Sequence, residues 1–133
     1  MIKRQRIVEG DLDLSKDDVI WDTNTEIIKG DCILTNLPKG VYPLPKLKQV
    51  LGDLDLRASG VLFLPKLKQV KGNVYIDKNS QLLDFGGLQD IGGEVLIYNN
   101  KRLDKIFSNS FKKTENGYVR SDIQEENIDI HNL

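Results

Sequence analysis

The chain has 133 residues and near-balanced charge, 19 Lys+Arg against 20 Asp+Glu, with 39% hydrophobic and 29% charged side chains. That suits one folded domain with a moderate core, and excludes a disordered chain or a catalytic domain joined to an independent partner domain. A net charge of −1 argues against a generally basic nucleic-acid binder, and the single cysteine, Cys32, leaves no disulfide framework or cysteine-built zinc site.

The chain opens Met1-Ile2-Lys3-Arg4-Gln5-Arg6, with no apolar segment behind its charges, so no secretion signal is expected. No apolar run reaches the roughly 20 residues of a membrane span. With a lone thiol suited to a reducing compartment, a cytoplasmic location is expected. All 133 residues are expected in one solenoid domain: an N-terminal cap over 1–7, repeats over 8–106 and a C-terminal cap or tail over 107–133. Ile2 and Ile7 are expected to fold over the open N-terminal end.

The repeats announce themselves directly. Leu-Pro-Lys-Leu-Lys-Gln-Val occurs at Leu44–Val50 and, unchanged, at Leu64–Val70; Gly-Asp-Leu-Asp-Leu occurs at Gly10–Leu14 and Gly52–Leu56. Aligned on Gly10, Gly30, Gly52, Gly72 and Gly93, five units appear at spacings of 20, 22, 20 and 21 residues. Two before each glycine stand Val8, Ile28, Val50, Val70 and Ile91. Two after stand Leu12, Cys32, Leu54, Val74 and Val95, and four after stand Leu14, Leu34, Leu56, Ile76 and Ile97.

Apolar residues two apart mark a strand with one buried face. Same-direction strands need a crossover rather than a hairpin. The chain is therefore expected to coil, one strand per turn, into a mainly β, parallel β-solenoid of about five coils of 20–22 residues. The glycines are placed at the strand entrance, and Pro45 and Pro65 fall between strands. Leu44 and Leu47, Leu64 and Leu67, and Phe85 and Leu88 are the inward residues of the second half-turn, with Ile20, Leu62, Leu82 and Leu103 between the halves. Cys32 sits in a leucine column as a small buried apolar residue. The first coil has Trp21-Asp22-Thr23-Asn24-Thr25 where the others have Leu-x-x-Leu. After Leu103 the repeat decays, and the acidic tail offers either a short helix opened by Ser121-x-x-Gln124 or a strand at Asn127–Ile130.

The fourth and fifth coils carry a more specific phrase. Gly72-Asn73-Val74-Tyr75-Ile76-Asp77-Lys78-Asn79-Ser80-Gln81-Leu82 is followed by Phe85-x-x-Leu88-x-x-Ile91-Gly92-Gly93-Glu94-Val95-Leu96-Ile97-Tyr98-Asn99-Asn100-Lys101-Arg102-Leu103. This resembles the receptor L-domain branch of the leucine-rich-repeat solenoids, as carried by bacterial and phage-type proteins. The resemblance implies a right-handed solenoid that binds other proteins and does not catalyse. It also implies that Asn79 and Asn100 satisfy backbone groups inside the turn. The chain lacks the disulfides of the animal receptor members.

Outward residues of a stacked sheet also form columns, about 4.8 Å apart. One after the glycine come Asp11, Asp31, Asp53, Asn73 and Glu94; three after, Asp13, Ile33, Asp55, Tyr75 and Leu96; five after, Ser15, Thr35, Arg57, Asp77 and Tyr98. Carboxylates at that spacing repel by about 1 kcal/mol per pair in water, which the fold tolerates. The partner surface expected here comprises Asp11, Asp13, Asp31, Ile33, Asp53, Asp55, Arg57, Tyr75, Asp77, Glu94, Leu96 and Tyr98. Its early coils offer carboxylates, and its later coils offer Tyr75, Leu96 and Tyr98 as anchors.

Lys46 over Lys66 and Lys48 over Lys68 form a second ladder, which without interleaved aromatics reads as solubilising rather than as a phosphate track. No metal or cofactor is expected: Asp11-x-Asp13-x-Ser15-x-Asp17 has Lys16 where a calcium loop needs glycine. No catalysis is expected either, because the only histidine, His131, has no nucleophile beside it in sequence. The function expected is a protein-binding module, an inhibitor or adaptor of phage or mobile-element type. The alternatives are an assembly subunit associating with itself through its ends and, further off, a nucleic-acid-associated protein.

Overall fold

The structure is a computed structural model that describes residues 6–16 and 19–121. Ile2, Asp17 and both readings of the tail beyond Ser121 lie outside those residues. The fold is mainly β, with parallel sheets stacked as a solenoid of about four turns and, among the described residues, one short helix.

Each glycine splits its strand in two, so every level contributes two short strands rather than the one expected. Before the glycines run β1 (Ile7–Val8), β3 (Ile27–Ile28), β5 (Gln49–Val50), β7 (Gln69–Val70) and β9 (Asp90–Ile91). After them run β2 (Leu12–Asp13), β4 (Cys32–Ile33), β6 (Leu54–Asp55), β8 (Val74–Ile76) and β10 (Val95–Ile97). The chain bends at each glycine, and the strands sort into two sheets meeting at a corner. The second sheet has the order β10-β8-β6-β4-β2; the first starts β1-β3-β5-β7-β9. Register follows the glycine alignment: Ile28 pairs with Val50, Val50 with Val70 and Val70 with Ile91. Ile7 belongs to β1, paired with Ile27, rather than folding over the end.

The fifth unit does not close. A helix, α1 (Lys101–Ser110), takes over, which is why five glycine levels make about four turns. Asn100 opens it, its side chain accepting from the Leu103 N–H at 3.0 Å while donating to the Asp77 carbonyl of the coil below at 3.0 Å. Asn79 does no such work: it is exposed, and Ser80 beside it is buried and donates to the Leu56 carbonyl. A hairpin of β11 (Phe111–Thr114) and β12 (Gly117–Arg120) follows, and β12 lies antiparallel on β9. Phe107 stacks on Phe111 with centroids 4.9 Å apart, and both meet Phe85 edge-on, sealing this end of the core.

The core columns lie inside as expected, and burial pushes the Cys32 thiol far up from its ordinary value. Two details differ. Of the four residues expected inward between the half-turns, Leu82 and Leu103 are buried, Leu62 is only half-buried with Val61 buried in its stead, and Ile20 is 95% exposed, with Val19 and Val41 partly buried on the same side. In the first coil Thr25 fills the place of Leu47. Its N–H bonds to the Asp22 carbonyl as Leu47 N–H bonds to Leu44, and its hydroxyl turns back onto the same carbonyl.

The glycine column is enforced by stacking. A Cβ on Gly52 would collide with the Gly30 backbone and the Asp31 carboxylate; Gly30 and Gly72 meet the same obstacles one coil below, Gly93 meets the Gly72 backbone and the Asn73 amide, and Gly10 meets nothing. Gly52→Ala is therefore expected to cost about 2 kcal/mol or more through overpacking. Gly10→Ala should stay within about 0.5 kcal/mol of the parent. Urea denaturation midpoints measure both.

Candidate functional site

The candidate surface is the outer face of the second sheet, together with the corner beside it. The column one after the glycines proves to be part of the fold. At the corner each glycine N–H bonds to the glycine carbonyl below, at 2.9 Å in every coil. The next N–H then faces a side chain of the coil below. Asp31 N–H donates to Asp11 Oδ1 at 2.7 Å, Asp53 to Asp31 at 2.8 Å, Asn73 to Asp53 at 2.8 Å and Glu94 to Asn73 at 2.8 Å. One oxygen of each Asp, and the amide oxygen of Asn73, thus serves a donor that the corner removes from the sheet ladder. Asp and Asn have the reach, and a carboxylate receiving a backbone N–H forms a charge-assisted bond. Glu94 ends the ladder and turns instead to Lys113, 3.2 Å away.

The carboxylates on the sheet face are also engaged. Asp13 accepts from the Ser15 hydroxyl and from the Ser15 N–H at 2.9 Å, which hold it below the usual carboxylate range. Asp55 receives Arg57 bidentately, Oδ1 to Nε at 2.9 Å and Oδ2 to Nη2 at 2.6 Å, and this pairing raises the Arg57 guanidinium further above its ordinary value. Arg57 also lies 5.2 Å over the Tyr75 ring, whose hydroxyl accepts from Asn73. Asp77 accepts from the N–H groups of Ala58 and Asn79, both at 2.9 Å, and so ties the left-handed turn at Ala58 (φ 52°) to the next coil.

The structure therefore brings Asp55, Arg57 and Tyr75 into one ordered cluster and leaves Ile33 half-buried beside them. The open part of the face is its C-terminal end, where Leu96 is 51% and Tyr98 73% exposed. No group of three or more His, Cys, Asp or Glu among the described residues is placed to hold a metal ion. Among the same residues no helix is long and apolar enough to cross a membrane.

A second surface was missed by the glycine alignment. Ile20, Trp21, Tyr42, Phe63 and Leu83 are large, apolar and exposed, one or two per coil. They sit just before Asp22, Leu44, Leu64 and Phe85, the residues that share one turn position through the bonds Thr25 to Asp22, Leu47 to Leu44, Leu67 to Leu64 and Leu88 to Phe85. Aligning on that position instead of the glycine would have shown them. The first sheet carries an unforeseen polar ladder as well: Gln49 donates to Gln69 at 2.8 Å, and Gln69 to Asp90 at 2.9 Å.

A structural role for the corner column sets its response to mutation. Asp53→Ala strips the acceptor from the half-buried Asn73 N–H and should cost about 1–2 kcal/mol. Asp53→Asn keeps an acceptor of the kind Asn73 itself supplies, so its thermal midpoint should stay near the parent's in calorimetry. Compared with known families, curated proteins and solved structures, the chain matches none, and what its structure shows is a β-solenoid of stacked parallel sheets.

Proposed function

We propose that this chain is a non-catalytic protein-binding module that engages its partner through the C-terminal end of the second sheet's outer face. The observation that carries this reading is the exposure of Leu96 on β10 and of Tyr98 just after it, with Leu96 paired to Tyr75 on β8 and the Tyr98 N–H bonded to the Ile76 carbonyl at 2.9 Å. Main-chain bonds to the coil below fix the backbone that carries these anchors, so no loop has to be ordered on binding. Aromatic anchors at the centre of a patch supply most of the energy of typical interfaces. The Asp55–Arg57 pair beside them forms a polar rim.

The corner carboxylates Asp11, Asp31 and Asp53 lie on the earlier coils of the same face, and a partner that extends along it meets only their second oxygens, since the first are used by the coil above. The resemblance of coils four and five to the receptor L-domain branch of leucine-rich-repeat solenoids supports the same reading, because that family binds proteins. An inhibitor or adaptor of phage or mobile-element type, working in the cytoplasm, is the setting we attach to it.

One observation favours a second reading, self-assembly through the ends: among the described residues the outer edge of β10 has no strand beside it, unlike β9, which β12 covers. Unpaired edges recruit further strands.

The decisive variant combines Tyr75→Ala, Leu96→Ala and Tyr98→Ala. Its circular dichroism and thermal midpoint should stay close to the parent's, while partners captured from native-cell extract by the parent are lost. Capture of the same partners at parental strength by the folded variant would sink the sheet-face reading. A mass that rises with concentration in light scattering would favour assembly instead.

A further inference from the structure

The apolar flank found outside the sheet face is ordered and has basic borders. Its backbone stacks in register: Gly40 N–H bonds to the Gly60 carbonyl at 2.7 Å, and Leu83 N–H to the Leu62 carbonyl at 3.1 Å. Two adjacent columns result, Ile20, Tyr42, the half-buried Leu62 and Leu83 in one, and Trp21, the buried Pro43, Phe63 and the exposed Asp84 in the other. The aromatic members are fixed by contacts within the flank. Trp21 donates its indole N–H to the Pro43 carbonyl at 3.0 Å, and the Tyr42 and Phe63 rings meet edge-on at 6.2 Å and 86°. Tyr42 is nevertheless 53% exposed. The exposed members, Ile20, Trp21, Tyr42, Phe63 and Leu83, form an apolar strip of the kind that marks an interaction site.

The charges beside the strip are mostly of one sign. Lys46 and Lys66 stand at the turns that end this flank, Lys48 and Lys68 lie just beyond, and Lys39 borders the other side; all five are exposed. Lys48 pairs with Glu26 at 3.1 Å, whereas Lys46, Lys66 and Lys68 have no carboxylate partner among the described residues. The acids nearby are engaged: Asp22 with Arg6 at 3.0 Å, and Asp84 with the Gly86 N–H at 2.8 Å. A partner seated on the strip therefore gains by carrying carboxylates.

The spacing selects the shape of that partner. Coils repeat about every 4.8 Å, and an α-helix turns about every 5.4 Å, so a helix along the solenoid axis sets one apolar side chain per turn on each coil. An extended strand repeats one face about every 6.7 Å and falls out of step within two coils. A single nucleic-acid strand needs open parallel ring faces to stack its bases. Here the Tyr42 and Phe63 rings stand perpendicular and the indole is tied down.

We propose that this flank docks the apolar stripe of an acidic amphipathic helix from a protein partner, laid across the coils between the lysine borders. The surface is distinct from the C-terminal end of the sheet face.

Trp21, the chain's single tryptophan, lies in the strip and reports its occupation. The full chain is titrated with a designed helical peptide of about 14 residues, carrying one leucine per turn and glutamates along one side of that stripe. The expected result is a saturable blue shift of Trp21 emission. Lys46→Glu combined with Lys66→Glu, both at exposed sites, should weaken binding about tenfold or more. Phe63→Ser should abolish the shift, and the sheet-face triple variant should keep it, which separates failure here from failure of the sheet-face reading. The proposal is overturned by no shift at any attainable peptide concentration, or by equal binding of a scrambled or lysine-substituted peptide. It is equally overturned if the charge-reversed double variant binds as the parent does. A shift produced by single-stranded oligothymidylate or phosphatidylserine vesicles but not by the peptide, or by raising the protein concentration alone, also overturns it and assigns the flank to nucleic acid, membrane or a second copy.

Discussion

Everything in this molecule follows from one requirement: each coil must lie on the one before it with its equivalent residues in register. A coil of 20–22 residues cannot enclose a core by itself, so its apolar side chains gain their burial only against neighbours. Main-chain bonds hold the register, and they demand that the backbone follow the same path at every level. The corner is where that demand is hardest. There, the glycine backbone of one coil sits so close over the next that a Cβ has no room, and one N–H per coil loses its carbonyl partner. The aspartate ladder answers the second problem in the space that glycine leaves open.

The sequence made the register and the inner columns legible, because a buried residue has one dominant property, apolarity, and the alignment repeats it. It did not reveal that the strand breaks into two sheets. The alternation of apolar residues runs straight through each glycine, from Val50 to Leu54 and Leu56, and alternation is blind to a bend. Nor did it expose the work of Asp11, Asp31 and Asp53. Their partners are backbone N–H groups 20–22 residues away, and a backbone donor leaves no mark in side-chain chemistry. Asn73 was the available hint, since Asp and Asn share an acceptor oxygen and not a charge.

The flank was hidden for a geometrical reason. The distance from the corner glycine to the first inward residue of the second half-turn changes from coil to coil: Gly30 to Leu44, Gly52 to Leu64 and Gly72 to Phe85 differ by one or two residues. The slack is taken up in the loop after the second sheet, so columns counted from the glycine drift on that side. Ile20 drifted from the interior to the surface in this way. The same drift hides a line of exposed aromatics beside lysines whose repeated heptapeptide contains none. The near-zero net charge is divided accordingly: several carboxylates are spent inside the framework, and the lysines of the flank are left facing outward.

The corner ladder also has a direction. The acceptor always belongs to the earlier coil and the donor to the later one, from Asp11 and Asp31 up to Asn73 and Glu94. The obligations of a coil are therefore split. Its glycine answers to the coil before it, and its aspartate or asparagine answers to the coil after it. The terminal levels are each released from one of these duties, as the open space at Gly10 and the free choice of glutamate at position 94 display. A chain emerging from its N-terminus finds each acceptor already waiting when the next donor arrives. Lengthening such a protein by duplication thus preserves the corner only when glycine and Asx are copied together as one unit.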